Sequence, residues 1–388
     1  MDFALTPEQE ELQASIRKLC RPFDDTYWLE RDKAGGFPVD FHQAFAKGGW
    51  LGICIPEDYG GSGLGVADAA IMMRTVAESG AGMSGCSAIH INVFGLNPVV
   101  VFGTEEQKKR MLPPMVQGSE RSCFAVTEPN TGLNTTQLKT LAVRKGDRYV
   151  VNGSKVWIST AQVAEKILLL ARTTRLENVK RPTEGLSLFY TDFDRSRITA
   201  REIEKMGRKV VDSNELFIEN FEIPVEDRIG EEGRGFEYIL HGMNPERILV
   251  AAEAVGLGRV ALERATAYAK ERIVFNRPIG QNQAIQHPLA RNWMELEAAW
   301  LMTMSAAWHY DKGLPSGAAA NAAKYLAGEA GFNACQQAVM THGGYGYAKE
   351  FHVERYLREV MIPRIAPVSP QLVLCFIAEK VLGLPKSY

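Results

Sequence analysis

Residues 149–158 read Tyr-Val-Val-Asn-Gly-Ser-Lys-Val-Trp-Ile. β-Branched and aromatic residues flank Asn152-Gly153, a pair that readily supplies the two positive-φ positions of a type I′ turn. The stretch therefore predicts a β-hairpin. Ile167–Ala171, Leu186–Tyr190 and Glu215–Ile218 are further short strand candidates. Pro224 and the glycines of GEEGRGF at 230–236 end this β region.

Outward from it on both sides the texture is helical. Thr6 is placed to cap a first helix, with Pro7 in its opening turn and Glu8, Glu10 and Glu11 at its positive end. PEDYGGSGLG at 56–65 separates a helical pair from a long run rich in Ala, Met and Val, and Pro113, Pro114 and Gly118 close that part. Downstream, Ile248, Ala251, Val255, Leu262, Ala265 and Ala269 recur at the spacing of one helix face. Dense alanine through 318–338 suits closely packed antiparallel helices. The expected fold class is α+β. An N-terminal α-helical domain spans 1–120, a middle antiparallel β-barrel or sandwich domain 121–232, and a C-terminal four-helix-bundle-like domain 233–388.

The 388 residues carry a net charge of −2 with 23% charged side chains, a balance that fits neither a nucleic-acid surface nor a disordered tail. No run reaches the roughly 18 uninterrupted apolar residues of a membrane span. The opening MDFALTPEQEEL turns acidic at once and lacks the apolar core of a secretory signal. The six cysteines include no CxxC pair and read as buried thiols. A cytoplasmic protein is expected, or one of the mitochondrial matrix if a transit peptide has been removed.

Several chemistries find no support. No GxGxxG follows a strand and opens a helix, no HExxH or Cys/His cluster offers a metal site, and no GxSxG elbow offers a serine nucleophile. What the chain does contain is an ordered series: FAVTEPNTG at 124–132, NGSKVWIST at 152–160, KMG at 205–207, GEEGRGF at 230–236, ERILVAAEAVGLG at 246–258, RIVFNRPIGQNQAIQ at 272–286 and HGGYGY at 342–347. Together these segments resemble the acyl-CoA dehydrogenase family over essentially the whole chain.

The resemblance implies FAD. A flat isoalloxazine needs a wall and a few hydrogen bonds. Thr127 and Ser159 are small polar residues at strand ends, and Trp157 is a broad apolar plate. Read without the family, Trp157 could equally fill the β core and Thr127 satisfy a strand. The family's pattern places Phe124, Val126, Thr127, Trp157 and Ser159 around the flavin. It also assigns Arg272, Phe275 and Gln283 to the FAD of a neighbouring subunit, and hence a homotetramer or homodimer. Arg272 suits a pyrophosphate because its guanidinium offers forked donors. Gly343 and Gly344 match a glycine turn that lets backbone approach FAD, and Ser369 and Gln371 match the loop that follows. Without the family, Arg272 would read as a surface ion pair and the glycines as an ordinary turn.

Most members of the family carry the catalytic glutamate in a C-terminal Tyr-Glu-Gly-Thr loop. Here the matching residues are Ala366-Pro367-Val368-Ser369, so the usual base is absent. Isovaleryl-CoA and long-chain types instead place it on a helix just before an arginine, which Glu246-Arg247 matches. Asn244-Pro245-Glu246 can also be read as an N-cap, a first-turn proline and a glutamate favoured by the helix dipole. As a base, Glu246 should be desolvated, with a pKa raised toward neutrality. Pro367 offers no N–H for the thioester carbonyl, and the Val368 N–H is the expected substitute. Asn244 stands where an aspartate often contacts pantetheine, Met340 replaces a glutamine, and Gly132-Leu133-Asn134 lacks the family's phosphate-touching serine.

The implied reaction is removal of the α proton and a β hydride from an acyl-CoA, leaving a trans-2 double bond. The electrons pass to an electron-transfer flavoprotein. The alternatives are an oxidase of the same fold and a catalytically silent acyl-CoA-binding scaffold. The base position suggests branched or medium-to-long acyl groups, in fatty-acid or branched-chain catabolism.

Overall fold

The computed structural model describes residues 4–387. Thr6 caps helix Pro7–Cys20 as expected, and it also closes a full capping box with Gln9. Helices Asp25–Ala34 and Val39–Lys47 follow, so three helices rather than two precede the glycine-rich break. Val66–Val76 and Gly82–Phe94 then run into one another through a π turn at Ala77–Ala81, where Gly80 takes a φ of 96°. Pro113 and Pro114 lie within helix Glu105–Val116, and the chain turns at Gly118 with φ 67°. An 18-residue window within Val66–Phe102 has the mean hydropathy of a membrane span, 1.5, but 61% of that window is buried inside the fold, as in a core helix. Val353–Lys380 reaches 1.6, yet it is broken into Val353–Glu359, Met361–Ile365 and Pro370–Lys380.

Among the described residues the middle region forms an eight-stranded sheet. Its order is Ile198–Glu202, Ser213–Pro224, Arg148–Ser159, Leu141–Lys145, Lys166–Arg172, Leu186–Asp192, Arg228–Ile229. Most pairs are antiparallel, but Ser122–Ala125 and the start of Leu141–Lys145 run parallel to Lys166–Arg172. The hairpin expectation at Asn152-Gly153 is corrected here. Arg148–Ser159 is one continuous strand, paired to Ser213–Pro224 with register shifts at Val151/Gly153 and at Lys155/Ile158. The turn lies instead at Gly146, φ 64°, between Leu141–Lys145 and Arg148–Ser159. At the first shift the extra residue is on the partner strand, where Glu219 and Asn220 lie opposite Asn152, Asn220 takes φ 49°, and its N–H donates to the Asn152 side-chain oxygen at 2.9 Å.

The C-terminal region is built on Gly235–Glu271, Gln283–Asp311 and Gly317–His342. The predicted face of the first is inside: Ile248, Ala251, Val255, Ala265 and Ala269 are buried, with Leu262 partly so. Small residues let these helices approach closely. A Cβ on Gly331 would lie 2.7 Å from the Ala254 carbonyl oxygen. All six cysteines are free thiols.

Candidate active site

A buried ion pair ties two neighbouring segments of the β region together. Lys155, fully buried, donates to Glu128 Oε1 at 3.0 Å and to the carbonyls of Val126 and Leu170 at 2.9 and 2.7 Å. Glu128 in turn accepts the backbone N–H groups of Lys139 and Thr140. Burial pushes the Lys155 ammonium down to about 8, against the pull of Glu128. This pair holds Val126-Thr127 against Val156-Trp157, where the Val156 N–H donates to the Thr127 carbonyl at 3.0 Å.

The second register shift has a consequence for Trp157. It takes φ 62° and leaves the indole 60% exposed, so it does not fill the β core and stands as a free apolar plate. The Thr127 hydroxyl donates to the Val156 carbonyl at 2.6 Å, which leaves its lone pairs to accept. Ser159 accepts from Arg208 at 3.1 Å, which leaves its proton to donate. Phe124 lies behind them, its ring 5.6 Å from that of Phe94.

Glu246 lies well inside helix Gly235–Glu271, with Pro245 also interior. The reading of Asn244-Pro245-Glu246 as a helix start is therefore corrected: the helix begins ten residues earlier, at the glycines of 230–236. Glu246 Oε2 is shut off from solvent and has no hydrogen-bond partner. Burial raises its pKa to about 7, opposed by His90 and Arg247 and assisted by Glu253. Arg247 donates to Asn244 Oδ1 at 3.0 Å, and Asn244 reaches Ser316 at 3.4 Å.

The Pro367 loop is anchored near the same helix. Lys324, buried, donates to the carbonyls of Val368 and Arg364 at 2.6 and 3.1 Å. Burial, and then the nearby Arg247, push its ammonium down to about 8. The Val368 N–H makes no hydrogen bond among the described residues. Ser369 caps helix Pro370–Lys380 by accepting the Leu372 N–H, and Gln371 is exposed beside it.

A third group sits apart. Tyr268, Arg272, Thr341, Gly343, Gly344 and Tyr345 line an open cleft of about 460 Å³, with the Arg272 guanidinium 5.5 Å from the Tyr345 ring. No atom lies within 4 Å of a Cβ built on Gly343 or Gly344, and Gly343 has φ 61°. Phe275, at a left-handed position with φ 51°, is 94% exposed, and Gln283 is exposed at the start of Gln283–Asp311. Among the described residues no hydrogen bond or ring contact joins this group to Thr127, Trp157 or Ser159.

Sequence reading missed Arg208, His90, Glu253 and Lys324. Arg208 directly follows the noted KMG segment, and His90 is a lone imidazole in an apolar helix. Either could have been flagged. Neither could be paired without the fold. No group of three or more metal-ligating side chains occurs among the described residues.

Three family models cover the chain: acyl-CoA dehydrogenase N-terminal domain at 6–119, middle domain at 123–221 and C-terminal domain at 233–380. An acyl-CoA dehydrogenase of Mycobacterium tuberculosis is 36% identical over 393 residues, covering 100% of this chain and 99% of that protein. The caffeyl-CoA reductase–Etf complex subunit CarC of Acetobacterium woodii is 33% identical over 361 residues, covering 91% and 93%. The butyryl-CoA dehydrogenase structure from Megasphaera elsdenii superposes with a TM-score of 0.93 at 29% identity, covering 98% of this chain and 100% of that one.

The cofactor is FAD, and this chain's residues fit it: a free indole plate, hydroxyls with unspent donors and acceptors, and an arginine beside two unobstructed glycines. The chain belongs to the acyl-CoA dehydrogenase family, as an FAD-dependent oxidoreductase acting on acyl-CoA.

Proposed function

We propose that the protein introduces a trans-2 double bond into an acyl-CoA thioester, with Glu246 taking the α proton. The observation that carries this reading is the Glu246 carboxylate: one oxygen is sealed from water, has no partner, and is held near neutral pKa by burial. A structural glutamate on a helix would be solvated or paired. A group that must accept a proton from carbon and later release it needs the opposite, a desolvated carboxylate poised near the working pH. FAD, when bound, accepts the hydride that leaves the β carbon. Asn244 and Arg247 flank Glu246 as contacts for the thioester and its pantetheine arm. Without an N–H at Pro367, the Val368 N–H, which makes no hydrogen bond among the described residues, takes its place as donor to the thioester carbonyl.

Branched or medium-to-long acyl groups are the substrates this base position favours, in fatty-acid or branched-chain catabolism. An electron-transfer flavoprotein is the electron acceptor, supported by the Etf-complexed relative. Self-assembly into a homotetramer, or a homodimer, is supported by the fully presented Phe275 and by exposed Trp293, Trp308 and Tyr347. Anaerobic mixing with an acyl-CoA series tests the reaction: bleaching of the flavin is expected, with slow reoxidation in air. Fast reoxidation marks an oxidase, and no bleaching with any acyl-CoA marks a silent scaffold.

A further inference from the structure

Helix Gly82–Phe94 packs along helix Gly235–Glu271, and a partly buried imidazole meets a buried carboxylate across that contact. His90 Nδ1 lies 2.6 Å from Glu253 Oε1. The Glu253 side chain is 2% exposed, whereas His90 keeps 15%. A buried carboxylate on Nδ1 fixes both the tautomer and the direction of the ring, so that Nε2 is the nitrogen turned to whatever occupies the site. The aromatic wall orients it further. The His90 ring lies 4.8 Å from Phe94, tilted by 58°, and Phe94 leads to Phe124 on the flavin-side strand. Among the described residues Nε2 has no hydrogen-bond partner. Burial opposes a charge on His90, but Glu253 and, more weakly, Glu246 outweigh it and raise its pKa.

Glu246 and Glu253 are seven residues apart on one helix, about two turns and 10 Å along its axis, so both carboxylates face the same way. Arg208 completes the surroundings, donating to Ser87, one turn from His90, and to Ser159 and Ser213. An acyl chain whose α carbon meets Glu246 therefore has a rigidly held ring nitrogen to meet with its more distal carbons. Nε2 accepts when Nδ1 alone carries the proton and donates when the ring is charged. A purely alkyl chain would cover that nitrogen and leave it unsatisfied. A hydroxyl answers it in either state, because it both donates and accepts.

We propose that His90, oriented by Glu253, is a specificity-determining residue that hydrogen-bonds a hydroxyl group on the acyl chain beyond its β carbon. This rests on the dehydrogenase reading and names the substrate class for the same site. The test compares 4-hydroxyhexanoyl-CoA and 5-hydroxyhexanoyl-CoA with hexanoyl-CoA by anaerobic flavin reduction, in wild type and in His90→Phe. The better hydroxy substrate is expected to exceed hexanoyl-CoA at least tenfold in kcat/KM, and His90→Phe to bring that ratio to one or below. The ratio is internal to each preparation, so loss of folded protein cannot mimic the effect. Glu253→Gln, which keeps the shape but frees the ring, should lower the ratio less. A wild-type ratio near one, or a ratio unmoved in His90→Phe, overturns the proposal while hexanoyl-CoA bleaching leaves the dehydrogenase reading standing. If none of the three thioesters bleaches the flavin, the dehydrogenase reading fails and this proposal with it.

Discussion

Arg208 Nη2 donates to Ser159 Oγ at 3.1 Å, and the same guanidinium reaches Ser213 at 3.2 Å and Ser87 at 3.1 Å, so one side chain joins the strand that carries Trp157 to the helix that carries His90. Burial lowers its pKa, and Glu253, Glu359 and Asp212 hold the charge in place. Arg208→Lys keeps the charge but loses the fork, because one ammonium cannot meet three hydroxyls spread around a plane. Each charge-assisted bond contributes about 1.5–3 kcal/mol. The expected result is a lower melting temperature and weaker FAD retention. Unchanged values for both would show that the fork contributes nothing.

Glu246→Gln keeps the shape of the side chain and removes its proton affinity. FAD should stay bound while the rate of flavin reduction falls by about 10²–10⁴. Anaerobic stopped-flow absorbance with a good acyl-CoA measures it. Reduction at the wild-type rate would mean that the α proton goes elsewhere.

Titration of Glu246 should appear in both rate and stability. As a base it acts only when ionised, so kcat/KM should rise with pH through about 7 and then level off. Its folded pKa is raised above the ordinary carboxylate value of 4.5. The unfolded chain therefore releases that proton first, and this group's contribution to stability is greatest below about pH 4.5 and is lost as pH rises through 7. Glu246→Gln should abolish the acid limb and flatten that part of the melting curve against pH. An acid limb unchanged in the variant would assign it to another group.

Lys324→Met should loosen the loop that carries Pro367. The substitution leaves the Val368 and Arg364 carbonyls without their buried donor, at a cost of about 1–3 kcal/mol. Melting temperature should fall, and KM for acyl-CoA should rise more than kcat falls. Melting and KM values equal to wild type would show the tether to be idle.

Arg272→Ala should weaken FAD binding by about 1.5–3 kcal/mol, or roughly 10- to 150-fold in Kd, with little effect on folding because the side chain is exposed. Flavin fluorescence titration of apoprotein reads this directly. If the Kd is unchanged, the cleft beside Gly343 and Gly344 holds something other than the FAD pyrophosphate.

Much of this protein is written locally. The capping box at Thr6, the buried face of Ile248 to Ala269 and the strands at 167–171 and 186–190 follow from patterns a few residues long, where burial and backbone propensity agree. Glu246 stands out as a candidate base only against the family's pattern, in which Pro367 occupies the other position for a glutamate. Asn152-Gly153 favours a turn in isolation but runs on as strand here, because the partner strand Ser213–Pro224 absorbs the irregularity with its own extra residue at Glu219-Asn220. The free indole of Trp157 depends on that pairing too. The polar pairs are the clearest case of what tertiary structure alone decides. His90 and Glu253 are 163 residues apart, and Lys324 and Val368 are 44 apart. A side chain's pKa and hydrogen-bonding role are set by which groups the fold packs beside it and how far it shuts out water, and neither is local to the chain.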